Sequence, residues 1–184
     1  MTTKRSKFKM EAHGDINTIL ALDFAYAKKT YVVRLDVETA KYKLYELPPY
    51  SKDHLEFLSA LRAIIHENRD NKTLFICEYP SYKINVETFR KLVSVYSAID
   101  NLILEMRKSG LVIDFCAVPP SVWQSAAFGA RKNRKMLKYL SKKRASVLTG
   151  YQVLNDDISD SINIAIFAFE QLKQTRIFVY RSAK

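Results

Sequence analysis

The sequence predicts an α/β fold: a mixed five-stranded sheet, an antiparallel meander continued by parallel strands, with helices on both faces. Three observations carry this expectation. Three short runs rich in β-branched and aromatic residues, 18–25, 30–37 and 41–47, follow one another with brief connections, as a meander requires. Two further apolar runs, 73–79 and 111–118, alternate with segments of helical periodicity. Only 4 glycines and 5 prolines occur in 184 residues, too few for a loop-rich or low-complexity chain.

Residues 1–17 are polar and basic, with Lys4, Arg5, Lys7 and Lys9, and are expected to form a flexible N-terminal arm ahead of a single domain over 18–184. The first strand, TILALDFA (18–25), is an apolar run closing on an acid; TYVVRLDV (30–37) and KYKLYEL (41–47) complete the meander, which Pro48-Pro49 ends. Ser51 is placed to cap a helix over about 52–68, whose apolar face holds Leu55, Phe57, Leu58, Leu61, Ile64 and Ile65. TLFICEY (73–79) is continuous and apolar, as a strand covered on both faces is.

Asn85 can cap a long helix over about 86–108, with Phe89, Leu92, Val93, Tyr96, Ile99, Ile103 and Met106 at helical spacing and Gly110 as its stop. LVIDFCAV (111–118) is the next strand. Pro119-Pro120 then suits the first turn of a short helix with Val122, Trp123 and Phe128, broken by Gly129. Trp123 is expected in the core. A basic helix over about 132–148 is expected to turn Met136, Leu137, Leu140, Val147 and Leu148 inward. The last strong element is a helix over about 156–173, capped by Asn155 or Asp156 and apolar nearly all round, so it should lie deep. RIFVY (176–180) can add a strand or strap.

Cys77 and Cys116 sit in separate strand-like runs without metal-ligand spacing and read as small buried hydrophobes of a reducing compartment. His13, His54 and His66 are scattered and read as surface or helix-face residues. No apolar run approaches the roughly 20 residues that span a bilayer, and no apolar core follows the basic N-terminus, so neither a membrane partner nor secretion is expected. The formal net charge is +11, which favours a polyanionic partner. No acid occurs between Asp114 and Asp156, where Arg131, Lys132, Arg134, Lys135, Lys138, Lys142, Lys143 and Arg144 all fall.

Four acids stand where acids are rare. Asp23 and Glu78 end the apolar runs ILAL and LFIC, and Asp157 and Asp160 open the most apolar helix on one side of it. A strand-end acid is often just where the chain meets solvent, and acids in a first helical turn are often caps or dipole partners, which is the preferred reading of Asp156. The coincidence of all four on a basic chain points elsewhere. Buried carboxylates brought together raise one another's pKa, and divalent cations relieve both burial and repulsion. Mg²⁺ prefers oxygen ligands, consistent with the shortage of His and Cys sites, and Mn²⁺ can substitute. Two such ions suit phosphodiester hydrolysis. Asp36, Glu46 and Asp114 lack this setting, and strand alternation lets them face outward.

With these residues in view, the chain resembles the RuvC-type Holliday junction resolvases of the RNase H-like superfamily. ILALDFAYAKKTYVV resembles that family's first strand and hairpin, LFICEYPSY its fourth strand with the catalytic Glu, and VIDFCAVPPSVWQSAAFGARKNRK its fifth strand, proline and lysine segment. NDDISDSINIAIFAFE resembles its closing helix with Asp-x-x-Asp. The likeness in order and spacing covers roughly 18–172. It implies an RNase H-like fold, with Asp23, Glu78, Asp157 and Asp160 as catalytic residues and ligands of two Mg²⁺ ions. It also implies a homodimer, joined through the 86–108 helix, that cuts branched DNA at four-way junctions in recombination and repair, in a reducing, DNA-containing compartment such as the cytoplasm. Asp23-Phe24-Ala25 replaces the family's Asp-Pro-Gly or Asp-Pro-Ser, and the glycine-rich stretch shrinks to Gly129; both departures suggest a divergent branch, such as a viral or phage one.

Arg131, Lys132, Arg134, Lys135, Lys138 and Lys142 are the candidate DNA contacts, because no acid balances them over some forty residues. A solvated helix face is the plainer reading of such a run. One of Arg131, Lys132 or Lys135 is placed to steady charge on a scissile phosphate. Tyr79 and Tyr82 follow Glu78 and can stack at a junction's open centre or simply pack. A nuclease of this fold acting on RNA–DNA hybrid, and a non-catalytic nucleic-acid-binding module, are the competing readings. Retention of four self-repelling acids argues against the module.

Overall fold

The computed structural model describes residues 16–81, 85–129 and 132–173. Five strands, β1 (Thr18–Asp23), β2 (Thr30–Asp36), β3 (Tyr42–Leu47), β4 (Thr73–Glu78) and β5 (Ile113–Val118), form one sheet in the order β3-β2-β1-β4-β5. Pairs β1–β2 and β2–β3 are antiparallel, and β1–β4 and β4–β5 parallel. This is the mixed sheet expected of an RNase H-like fold.

Helices α1 (His54–Glu67) and α2 (Val86–Lys108) supply one core layer, where Phe57, Leu61, Val95 and Ile99 meet Leu20, Leu22, Phe75 and Cys77 of the sheet. Helices α3 (Pro120–Phe128), α4 (Arg134–Thr149) and α5 (Asp156–Lys173) supply the other, where Trp123, Ala145, Ile162, Ile164 and Phe167 meet Ile19, Ala21, Leu74 and Ile76. Because strand side chains alternate between faces, β1 and β4 must be apolar at successive positions to serve both layers. Cys77 and Cys116 are buried and free, as expected, and no described helix is long and apolar enough to cross a membrane.

Several local expectations change. Asp53, not Ser51, caps the first helix, accepting from the N–H groups of Leu55 and Glu56. A carboxylate placed directly before the first turn outcompetes a serine two residues further out. Leu55 is therefore in the first turn and exposed. Asn85 and Asn155 cap α2 and α5, and Asn133 caps α4. The basic helix departs most. Met136, Val147 and Leu148 are exposed, while Ser141 and Ala145 are buried. Small side chains let α4 approach α5 closely, so the buried seam is narrow and the larger apolar residues fall outside it. Ile16 packs partly buried on the second layer and Asn17 hydrogen-bonds Lys72 and Val37, so these two belong with the sheet. The RIFVY run lies outside the described residues, as does the rest of the N-terminal arm.

The topology decides where chemistry can sit. Strands β1, β3, β4 and β5 all run the same way, so their carboxyl ends share one edge of the sheet. Asp23 and Glu78 are the last residues of two neighbouring strands at that edge.

Candidate active site

Alternation places the two strand acids. Ile19 and Ala21 of β1, and Leu74 and Ile76 of β4, face α3–α5, so Asp23 and Glu78, two residues further on, point to the same side. Parallel pairing sets Leu22 opposite Cys77, which brings the two acids side by side. Helix α5 then crosses this face with its first turn at the same edge. Ser161 fixes the crossing: its hydroxyl accepts from the Asp23 N–H at 3.0 Å and donates within 3.0 Å of the Tyr31 carbonyl and 2.9 Å of the Asp157 carbonyl.

One cavity of about 310 Å³ results, lined by Asp23, Glu78, Asp157 and Asp160 together with Asp156, and walled on the α4 side by Arg134 and Lys138. All four acids singled out in the sequence are brought together. Asp36 and Glu46 are engaged elsewhere, with Thr39 and Lys29 respectively.

The electrostatics follow from the crowding. Burial, then the charges of Glu78, Asp160 and Asp157, push the Asp23 carboxyl well above the usual range. Glu78 is pushed up to about 7, chiefly by burial and also by Asp160, against the opposing effect of the Trp123 indole. Asp160 rises to about 6, again mainly by burial, opposed by its hydrogen bond from Ser141. Asp156 moves the other way, because Lys138 and Lys142 both bind it, the latter at 2.8 Å. It is thus the ionic partner of the basic helix rather than a cap.

Two neighbours that sequence reasoning did not assign, Trp123 and Ser141, hold these acids, and a third, Asn163, holds Ser141. Trp123, fully buried, donates its Nε1–H to Glu78 Oε2 at 2.8 Å. Ser141 of α4 donates to Asp160 Oδ1, and its own oxygen accepts from Asn163 Nδ2 at 3.0 Å. Asn163 also donates to the carbonyls of Ser159 and Ser141. The signal was present in the sequence as Ser159, Ser161 and Asn163, polar residues interrupting an otherwise apolar helix beside Asp160.

The remaining candidates divide. Arg134 and Lys138 line the carboxylate cavity, whereas Lys135, Lys138 and Lys142 line an adjoining cleft of about 450 Å³ along α4. Lys132 is exposed and lines neither. Tyr79 is half-buried against the first core layer, its ring edge-on to Tyr96 at 5.3 Å. Arg131 and Tyr82 lie outside the described residues.

The donors fit a divalent cation in kind: hard, self-repelling carboxylate oxygens, with the Asp23, Glu78 and Asp160 carboxyls raised, a cost that cations would relieve. Among the described residues no three acid, histidine or cysteine side chains converge on one point.

No protein-family model matches the chain, and no curated protein matches it by sequence. Solved structures do. The Thermus thermophilus RuvC structure superposes with a TM-score of 0.63 at 12% identity, covering 88% of this chain and 98% of that one. T. thermophilus RuvC in complex with Holliday junction substrate gives 0.62 at 11%, with the same coverage. The yeast mitochondrial Holliday junction resolvase Ydc2 gives 0.56 at 13%, covering 90% and 86%. The chain has the RuvC-type RNase H-like fold.

Proposed function

We propose that this chain is a divalent-cation-dependent endonuclease that resolves four-way DNA junctions by phosphodiester hydrolysis. The observation that carries the reading is the single cavity in which Asp23, Glu78, Asp157 and Asp160, from two strands and a helix, meet beneath the cations of α4. A fold shared with junction-resolving proteins supports branched DNA as the substrate. Asp23, Glu78, Asp157 and Asp160 would hold two Mg²⁺ ions, or Mn²⁺ in their place, which would supply an activated water and neutralise charge on the departing 3′ oxygen.

The chain's own residues do the rest. Trp123 and Ser141 each give one hydrogen bond to an acid, fixing the rotamers of Glu78 and Asp160 in a cavity where an unheld carboxylate would swing away from its neighbours. Ser161 ties the first turn of α5 to the end of β1, so the strand acids and the helix acids keep one spacing. Arg134 and Lys138 offset negative charge and attract the phosphodiester. Lys135 and Lys142 extend that attraction along α4. One such cavity cuts one strand, so paired cuts need two copies of the chain, and a homodimer through the exposed side of α2 is part of the proposal.

The test offers labelled four-way junction, linear duplex and RNA–DNA hybrid to the wild type and to Asp23→Asn in Mg²⁺, with the mass of the purified protein measured by light scattering. Symmetric nicking of the junction by a dimer, lost in Asp23→Asn, is expected. Equal cutting by Asp23→Asn would overturn the metal site. Cutting of the hybrid alone would move the substrate to RNA–DNA hybrid, and binding of the junction without cutting under either metal would leave only a binding module.

A further inference from the structure

The sequence placed cationic contacts only in the segment from Arg131 to Lys142. The structure has a second concentration of lysines beside the carboxylate cavity, in a groove that α4 also lines. A groove of about 610 Å³ runs there, lined by Lys28, Lys29 and Tyr31, by Pro49 and Lys52, and by Arg134 and Lys138 of α4. It shares Asp156 and Asp157 with the carboxylate cavity, and Lys138 lines all three concavities. The concavities are therefore continuous: from α4, past the acids, to the connection between β1 and β2.

The two loops that carry these lysines are built together. Residues 24–29 link β1 to β2, and 48–53 link β3 to α1; both leave the sheet at the edge where Asp23 and Glu78 end. The Ser51 N–H donates to the Tyr26 carbonyl at 2.8 Å, and the Tyr26 and Tyr50 rings lie 6.0 Å apart. Tyr50 in turn meets Phe57 of the core edge-on at 5.5 Å. The buried hydroxyl of Thr30 closes the first loop by accepting from the Ala25 N–H. Lys29 is neutralised by Glu46. Lys28 and Lys52 are exposed, and among the described residues neither has a carboxylate partner. Two positive charges thus stand on a braced platform beside a cluster of acids.

We propose that Lys28 and Lys52 form a second phosphate-binding wall, which holds the nucleic acid backbone across Asp157 from α4. The inference rests on the nuclease reading above and deepens it. A cavity of four acids repels a polyanion at the point where the bond must break. Cations on one side only would draw the strand away along α4, whereas cations on both flanks seat it over the acids and fix its direction.

The full-length protein is tested by fluorescence anisotropy with a labelled four-way DNA junction and a labelled single strand, in chelator, from 50 to 200 mM salt. Lys28→Glu/Lys52→Glu is compared with Lys41→Glu/Lys72→Glu, which changes the same charge at exposed positions preceding β3 and β4, at the opposite edge of the sheet. Lys28→Gln/Lys52→Gln removes the charge without adding repulsion. The groove variants are expected to bind at least roughly tenfold more weakly at the lower salt, with a salt slope smaller by about 1.5 for two lost phosphate contacts. The control pair should stay within about twofold of wild type. If the groove variants match the control pair while the wild type still cuts nucleic acid, the second wall is wrong and the nuclease reading stands. If the wild type neither binds nor cuts any of the substrates, both are wrong.

Discussion

Trp123→Phe separates the carboxylate cavity's geometry from its mere composition. The indole Nε1–H donates to Glu78 Oε2 at 2.8 Å from a fully buried ring. A hydrogen bond to a charged acceptor is worth about 1.5–3 kcal/mol, and one pKa unit corresponds to about 1.4 kcal/mol. Phe keeps most of the ring and loses the donor, so Glu78 should rise from about 7 by roughly one to two units. At pH 7 its ionised fraction would fall from about a half to between roughly a tenth and a hundredth. The direct assay is ¹³C NMR of the labelled glutamate carboxyls, titrated from pH 4 to 9 in chelator. The cleavage rate in Mg²⁺ should fall at neutral pH and recover toward pH 9. Phe128→Leu is the packing control, because Phe128 meets Trp123 edge-on at 6.1 Å but does not contribute that bond. It should lower the melting temperature and leave Glu78 in place. A Glu78 midpoint that stays or falls in Trp123→Phe would refute the assigned role.

Stability in chelator should decline as pH rises from about 5 to 8. Glu78 and Asp160 hold protons more tightly folded than unfolded, so their contribution is complete below the unfolded pKa of about 4 and is lost as pH passes about 6 and then 7. Asp23 extends the same trend. The depressed carboxyls of Asp36, Glu67 and Asp156 act in the opposite sense, but only in acid. Urea midpoints at pH 5 and 8, with and without Mg²⁺, check this; a flat profile in chelator, or Mg²⁺ that does not restore the loss, contradicts it. Ser141→Ala removes the donor to Asp160 and one acceptor of Asn163, and should cost about 1–2 kcal/mol at pH 7. It should also raise the Asp160 midpoint above about 6, readable by carboxyl NMR.

Most of the scaffold was legible. The helix from Asp156 to Lys173 and the long helix capped by Asn85 agree with the expectation because both periodicity and cap chemistry are local. The four acids were legible for a related reason: Asp23 and Glu78 interrupt apolar strands, Asp157 and Asp160 share one side of an apolar helix's start, and each pattern assigns a face. Where inference failed, the competing interaction was not local. Ser51 lost the cap to a nearer carboxylate, and the large apolar residues of α4 yielded the seam to Ser141 and Ala145. Trp123 looked like core and is core, yet nothing in its neighbours along the chain reveals an acceptor 45 residues away.

By itself the sequence determined which runs form strands and helices, which strand residues are buried, and that Asp23 and Glu78 interrupt apolar strands while Asp157 and Asp160 open an apolar helix. Periodicity reports a side chain's direction relative to its own element and no more. Only the tertiary structure decided which elements adjoin: that β4 pairs beside β1, that Ser161 reaches Asp23 across 138 residues, and that the loops bearing Lys28 and Lys52 brace each other at the same edge. Those adjacencies come from packing two apolar layers on one sheet, where the whole chain's burial, rather than any local preference, selects the partner.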